Sequence, residues 1–188
     1  MPKVKPSIEI QNVVATLALD HTIDLDLITR MFPFAEYRPM QFPGLVFRLK
    51  KPKTATLIFH SGKMVCTGAR SESQAAKALN RVISELKNNG IVITSKPKKV
   101  KIQNIVASGN LYGKIDLGEV VYKLRKTIYE PEQFPGLIYR MDNPKVVFLL
   151  FASGKIVCVG AKKEEEIYQA VNNLYKKLED EKIISYDS

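Results

Sequence analysis

The chain repeats itself at a constant spacing. IQNVVAT at 10–16 returns as IQNIVAS at 102–108, and QFPGL at 41–45 returns unchanged at 133–137. LIFHSGKMVCTGA at 57–69 returns as LLFASGKIVCVGA at 149–161. The offset is 92 residues each time, with no insertion or deletion between the first block and the last. An internal repeat constrains the fold before any other signal, because each copy must build the same supersecondary unit. Two copies with one spacing imply two similar halves related by a pseudo-twofold axis. The expected layout is a tail at 1–7, a first repeat at 8–92, a linker at 93–99, a second repeat at 100–180 and a tail at 181–188.

Charge narrows the partner. The formal net charge is +10, the isoelectric point is near 9.5, and both halves carry more lysine and arginine than acid. That balance favours a polyanion such as nucleic acid, or an anionic membrane surface. A lysine-rich surface serving solubility is the plainer alternative. A pseudo-twofold protein matches a partner that is itself nearly twofold, and duplex nucleic acid is the commonest. No signal-like stretch and no apolar run long enough to cross a bilayer is present, so the chain reads as soluble and intracellular, with no membrane partner. Cys66 and Cys158 are repeat-equivalent and sit in apolar stretches, which fits small core residues. With the unmatched His21 and His60 they make no metal-ligand set, so no metal or cofactor is expected.

Each copy shows the same order of elements. A strand near 8–19 (100–111) precedes a short helix near 24–32 (116–127), opened by Asp24 or Asp116 as N-cap or first-turn acid. Strand candidates follow at 37–41, 45–50, 54–60 and 63–69, with counterparts at 129–133, 137–142, 146–152 and 155–161. FPG, KPK or NPK, and SGK mark the turns between them. A long amphipathic helix closes each copy, at 71–89 and 164–180. In the junction, IVIT at 91–94 is a further short-strand candidate. Strands grouped with two helices per half give the α+β class.

The strands have one apolar face too many. Period 2 places Ala55, Leu57 and Phe59 on one face, with Thr56, Ile58 and His60 on the other. Val65 and Thr67 share a face, and Met64, Cys66 and Gly68 the opposite one. One amphipathic helix per half covers one face only. The face left over carries Leu57, Phe59, Val65 and Thr67, and in the second copy Leu149, Phe151, Val157 and Val159. Either the halves bury these faces against each other, or they form a binding surface; the basic charge and the polar residues in the matching strands favour binding. Asn12 and Asn104 sit mid-strand, where asparagine is depleted. Two readings stand level: an amide that ties a bulge or turn, or an amide that donates to adenine N3 and thymine O2 in a minor groove. Phe42 and Phe134 precede Pro-Gly turns, and each lies 17 residues before Phe59 or Phe151. Repeat-matched cations at Arg48/Arg140, Lys63/Lys155 and Arg70/Lys162 are placed to meet phosphates.

Taken together, IQNVVAT, QFPGL, LIFHSGKMVCTGA, their second-copy equivalents and EPEQFPGLIYRM closely resemble the TATA-box-binding protein family, in its short archaeal-type form, across roughly 7–180. The resemblance implies one curved antiparallel saddle with helices on the convex face, its concave side on the DNA minor groove. It implies a general transcription initiation factor that binds and bends the TATA-box promoter element. The family's intercalating phenylalanines fall on Phe42, Phe59, Phe134 and Phe151. Such wedges unstack base steps at a few kcal/mol each and gain contact with bent DNA, a mode for which this family is itself the standard instance. The central asparagines fall on Asn12 and Asn104, and the groove-lining aliphatics on Val14, Leu57, Val65, Val106, Leu149 and Val157. The phosphate contacts resemble Arg48, Ser61, Lys63, Arg140, Ser153 and Lys155, flanked by Arg70 and Lys162.

Two departures break the symmetry. Thr67 stands where the family often has a hydrogen-bonding threonine, but its mate is Val159, so any contact it makes is one-sided. YRPMQF in the first copy becomes YEPEQF in the second, with Glu130 and Glu132 replacing Arg38 and Met40. By the resemblance, this acidic turn would face the basic B-type general transcription factor, within a pre-initiation complex with RNA polymerase at the nucleoid or cytoplasm of an archaeal-type cell. No Ser/His/Asp set, metal cluster or phosphate-cradling glycine loop is present, so no enzyme is expected. The rivals are a two-lobed protein that binds an apolar ligand or another protein on the same face and, more weakly, a nucleic-acid enzyme.

Overall fold

A computed structural model describes residues 4–187. The expected tails therefore extend beyond the described residues at 1–3 and 188. In chain order the elements are β1 (Ser7–Ala18), α1 (Leu25–Met31), β2 (Leu45–Lys50), β3 (Lys53–Ile58), β4 (Lys63–Ala69) and α2 (Glu72–Asn88). The second copy supplies β5 (Lys101–Asn110), β6 (Lys114–Ile115), α3 (Leu117–Lys123), β7 (Thr127–Ile128), β8 (Leu137–Met141), β9 (Val146–Leu150), β10 (Lys155–Ala161), α4 (Glu164–Asp180) and β11 (Ile184–Ser185). The class is α+β with antiparallel pairing throughout the registered strands.

The chain forms two compact units. Asn12–Gln103 makes a central unit; the chain up to Gln11 and from Asn104 makes a terminal unit. In the central unit the strand order is β2-β3-β4-β1, and in the terminal unit β10 lies between β5 and β9, followed by β8 and β7. In the central unit Gln103 donates to Thr16 Oγ1 at 2.9 Å. In the terminal unit Gln11 donates to Ser108 Oγ at 2.8 Å. The two glutamines are repeat-equivalent, as are the two hydroxyls they meet.

In each unit the long helix seals one face of the strands. The α2 stripe of Ala75, Ala78, Leu79, Val82, Ile83 and Leu86 is buried against β4, β2 and β3. The α4 stripe of Ile167, Ala170, Val171, Leu174 and Leu178 is buried, with α4 packed on β10. Burying one leucine of this kind contributes about 1.5–3 kcal/mol. Below them lie Phe47, Ile58, Met64 and Cys66 in one unit and Phe148, Leu150, Ile156 and Cys158 in the other. The Ser71 hydroxyl caps α2 by accepting from Gln74 N. Lys163 makes no side-chain cap on α4; Glu164, Glu165 and Glu166 complement the helix dipole there. Asp24 and Asp116 do cap α1 and α3, accepting from Leu27 N and Glu119 N.

Several local expectations shift. Residues 37–41 and 129–133 form no strand. Instead each begins a tight turn, in which Gln41 N and Phe42 N donate to Arg38 O, and Gln133 N and Phe134 N to Glu130 O. The strand contact comes earlier: Glu36 bridges Val46, and β7 pairs Ile128 with Ile138 at the equivalent place. The helix expected to run to 127 stops at Lys123, because Leu124 turns extended and Lys126 takes a left-handed φ of 57° before β7. IVIT at 91–94 is not a strand; Ile91 N caps the end of α2 on Leu86 O. The expected C-terminal tail carries β11, which pairs with β6 and buries Ile183 and Ile184.

Candidate nucleic-acid interface

The sheet faces opposite the helices stay partly open. In the central unit Asn12, Val14, Leu57, Phe59, Val65 and Thr67 are half-buried, as are Asn104, Val106, Leu149, Phe151, Val157 and Val159 in the terminal unit. Alternation places them there. Leu57 pairs with Val65, and Leu149 with Val157, while the next residues along each strand point into the core. The alternation breaks at one point in each copy. Gly68 and Gly160 have φ of 97° and 102° and open a bulge opposite β1 and β5. Gly68 therefore leaves the buried row that period 2 assigned it, and Ala69 is buried in its stead.

The asparagines tie these bulges. Asn12 Oδ1 accepts from Gly68 N at 2.7 Å, and Asn104 Oδ1 accepts from Gly160 N at 2.8 Å. The bulge reading is therefore realised, and it leaves the Asn104 NH2 and one N–H of Asn12 for a further acceptor. Both readings are compatible, since the oxygen and the nitrogen serve separate partners. In the central unit Thr67 joins in: Asn12 Nδ2 lies 3.1 Å from Thr67 Oγ1, and that hydroxyl lies 3.3 Å from Asn12 Oδ1. Val159 offers Asn104 no such partner.

The four phenylalanines form two pairs of nearly identical geometry. Phe42 and Phe59 stand edge to face with ring centroids 5.9 Å apart at 70°. Phe134 and Phe151 stand 6.0 Å apart at 72°. Glycine makes this possible: a Cβ on Gly44 would lie 2.7 Å from the Phe42 ring and 3.0 Å from Phe59, and one on Gly136 would meet Phe134 and Phe151 at the same distances. Phe42 and Phe134 are each 43% exposed. Core packing is therefore not their full role, and an aromatic left in water at the same place twice marks a contact surface.

Cations and hydroxyls surround these faces. Arg48, Ser61, Lys63 and Arg70 are exposed in the central unit, and Arg140, Ser153, Lys155 and Lys162 in the terminal unit. Ser61 Oγ accepts from Lys63 N, and Ser153 Oγ from Lys155 N, both at 3.4 Å. Gly62 and Gly154, each at φ 94°, let these SGK turns close against backbone oxygens of His21 and Gly113. Arg48 Nε also lies 4.0 Å from Glu36 Oε1, an exposed pair. Glu130 and Glu132 are exposed on their turn, as are Arg38 and Met40. Sequence reasoning passed over the Gln11–Ser108 and Gln103–Thr16 bonds, although the IQN repeat carried the signal. It also passed over Ala55 and Val147, the unequal neighbours of Thr67 and Val159 across the strand pair.

The family model described as "Transcription factor TFIID (or TATA-binding protein, TBP)" matches residues 7–89 and again 99–181. The chain belongs to the TATA-box-binding protein family. A TATA-box-binding protein of Pyrodictium occultum is 55% identical over 174 residues, covering 93% of this chain and 87% of that one. One from Sulfolobus acidocaldarius is 53% identical, covering 93% and 88%. The solved structure titled "Methanococcus jannaschii TBP" superposes with a TM-score of 0.83 at 45% identity, covering 93% of this chain and 99% of that one. The two matched stretches are the TBP repeats that the 92-residue offset marks out, and they carry the TBP fold. TBP is a family of transcription factors, which answers the enzyme alternative. Among the described residues no helix is long and apolar enough to cross a membrane.

Proposed function

We propose that this chain is a general transcription initiation factor. It binds the TATA-box promoter element in the minor groove, bends the duplex by phenylalanine intercalation, and recruits the B-type transcription factor and RNA polymerase. The observation that carries this reading is the duplicated wedge: Phe42/Phe59 and Phe134/Phe151, each pair held against a glycine with one ring exposed and one half-buried, and matched to within 0.1 Å in ring separation. Relatives named for TATA-box binding support it.

The chemistry follows from the groove. A·T and T·A pairs present only acceptors there, adenine N3 and thymine O2, while G·C adds the guanine amino donor. A face of valine, leucine and amide N–H groups suits the first and leaves the second unpaired. Val14, Leu57 and Val65 line one half of such a site, and Val106, Leu149 and Val157 the other, with Asn12 and Asn104 donating. The phenylalanine pairs wedge between base steps at the ends, at a cost of a few kcal/mol per step offset by wider contact on bent DNA. Arg48, Ser61, Lys63, Arg70 and their mates Arg140, Ser153, Lys155 and Lys162 take the phosphates. The acidic turn at Glu130 and Glu132 repels phosphate and suits the basic B-type factor. The chain works on DNA inside the cell, in the cytoplasm and nucleoid of an archaeon.

Electrophoretic mobility shift with a bend readout tests this. TA-rich duplex is bound and bent in preference to GC-rich duplex of equal length at equal salt. Equal affinity for both would sink the reading. The logarithmic salt slope should fall by about one for each phosphate-contacting lysine removed, Lys63 or Lys155.

A further inference from the structure

The two open faces differ in their hydrogen-bonding capacity at one matched place. In the central unit, Thr67 pairs across the strands with Ala55. Its hydroxyl lies 3.1 Å from Asn12 Nδ2 and 3.3 Å from Asn12 Oδ1, and both Thr67 and Ala55 are half-buried on the open face. In the terminal unit the equivalent cross-strand pair is Val159 with Val147, also half-buried. Two other acceptor pairs on these faces are balanced; farther along β5, Asn110 stands where β1 has Ala18, its Oδ1 accepting from Tyr112 N. Thr16 and Ser108 are repeat-equivalent, and each receives a glutamine amide. Asn12 Oδ1 and Asn104 Oδ1 are both engaged by a bulge N–H. Position 67/159 is where acceptor capacity near the asparagines becomes unequal.

A hydroxyl carries two acceptor lone pairs and one donor. The Asn12 amide occupies at most one of those lone pairs, so Thr67 Oγ1 keeps one for an incoming N–H. Ala55 beside it has no bulk beyond Cβ. Two valines offer no acceptor and fill the corresponding space with methyl groups. The group that tells these surfaces apart is the guanine amine, the one donor that a minor groove displays. Against Val147 and Val159 it is desolvated without a partner; against Ala55 and Thr67 it donates to Oγ1.

We propose that Thr67 and Ala55 form a guanine-tolerant subsite, and that Val159 with Val147 forms its guanine-excluding counterpart. A near-palindromic TA-rich site holding one G·C pair is then bound in a single direction, with the central unit over the G·C half. This inference rests on the minor-groove reading above and adds polarity to it.

The test uses the full-length chain with a DNA-cleaving iron chelate on a cysteine introduced at Met40, which is 97% exposed. Cys66 and Cys158 are buried and stay unlabelled. Three duplexes are compared: an all-TA core, and the same core with one G·C pair near the centre of either half. On the G·C duplexes the parent cleaves at the end nearer the G·C pair, and its cleavage switches ends when the pair moves. Thr67→Val lowers affinity for the G·C duplexes relative to the all-TA core by about tenfold, the factor that one unpaired polar group is worth in discrimination. It also abolishes the directional bias. Val147→Ala with Val159→Thr gives equal cleavage at both ends of every duplex. Equal cleavage by the parent on the G·C duplexes, with the all-TA core bound and bent, overturns the subsite and leaves minor-groove binding intact. Failure of the parent to bind the all-TA core overturns minor-groove binding itself.

Discussion

The carboxamide oxygen of Asn104 accepts the backbone N–H of Gly160 at 2.8 Å, inside a β-bulge whose glycine has φ 102°. Asn12 and Gly68 repeat the arrangement at 2.7 Å. One end of a single side chain thus fixes the strand while the other end is presented on the open face. The two duties separate by substitution. Asn104→Asp keeps the acceptor for Gly160 and should preserve stability to within about 1 kcal/mol, the net worth of one hydrogen bond. It replaces the donor with a negative charge, so affinity for TA-rich duplex should fall by more than about tenfold. Urea unfolding and a mobility shift, run on one preparation, measure both.

Gly44 and Gly136 make the second prediction. An added Cβ falls 2.7 Å from Phe42 or Phe134, so alanine must displace the exposed ring from its edge-to-face partner. Gly136→Ala should reduce DNA bending, read by energy transfer between end-labelled duplex termini. It should leave salt-dependent affinity for random duplex nearly unchanged. Phe134→Ala and Phe151→Ala should do the same more strongly. Parent-like bending by both phenylalanine variants would remove the wedge assignment.

Glu130 and Arg38 occupy the same point on identical turns, where each backbone carbonyl receives two N–H donors. The backbone is preserved while the charge is inverted. Glu130→Arg should therefore fold as the parent does and bind DNA at least as well. Recruitment of the B-type factor to the binary complex should weaken by about tenfold, of the order of one interfacial charge pair. Loss of DNA binding itself would instead place this turn at the groove.

Burial in the terminal unit pushes the Cys158 thiol up to about 12 from its ordinary 9.0, because the thiolate would be desolvated. The neutral form is favoured in the folded state, so its contribution is fully present below pH 9.0 and is lost as pH climbs toward about 12. Over that window the unfolded thiol ionises first, with a slope approaching about 1.4 kcal/mol per pH unit for one group. Cys158→Ala should be less stable at pH 7 by about 1 kcal/mol, a typical small core truncation. The gap to the parent should narrow above pH 9.0 in urea unfolding series, and a gap that stays constant would exclude this origin.

What the sequence determined by itself were the features written locally or written twice. The stripe in α2 and in α4 follows from helical spacing, and both helices end within a residue of their expected limits. β4 and β10 lie where the alternation puts them, and the SGK and FPG turns announce themselves. The offset of 92 by itself pairs the phenylalanines, the cations and the asparagines. Tertiary structure decided what depends on a partner far along the chain. Period-2 counting carried Gly68 into the buried row, because a bulge is created by the opposing strand and an Asn12 oxygen 56 residues away. α3 ends early because β7 must reach β8, and the last residues become β11 because β6 offers an edge. The wedge geometry required Gly44 beside both rings of a pair. The unequal surroundings of Thr67 and Val159 required knowing that Ala55 and Val147 lie across from them. Periodicity assigns a side chain to a face, but only pairing across strands decides what it touches there.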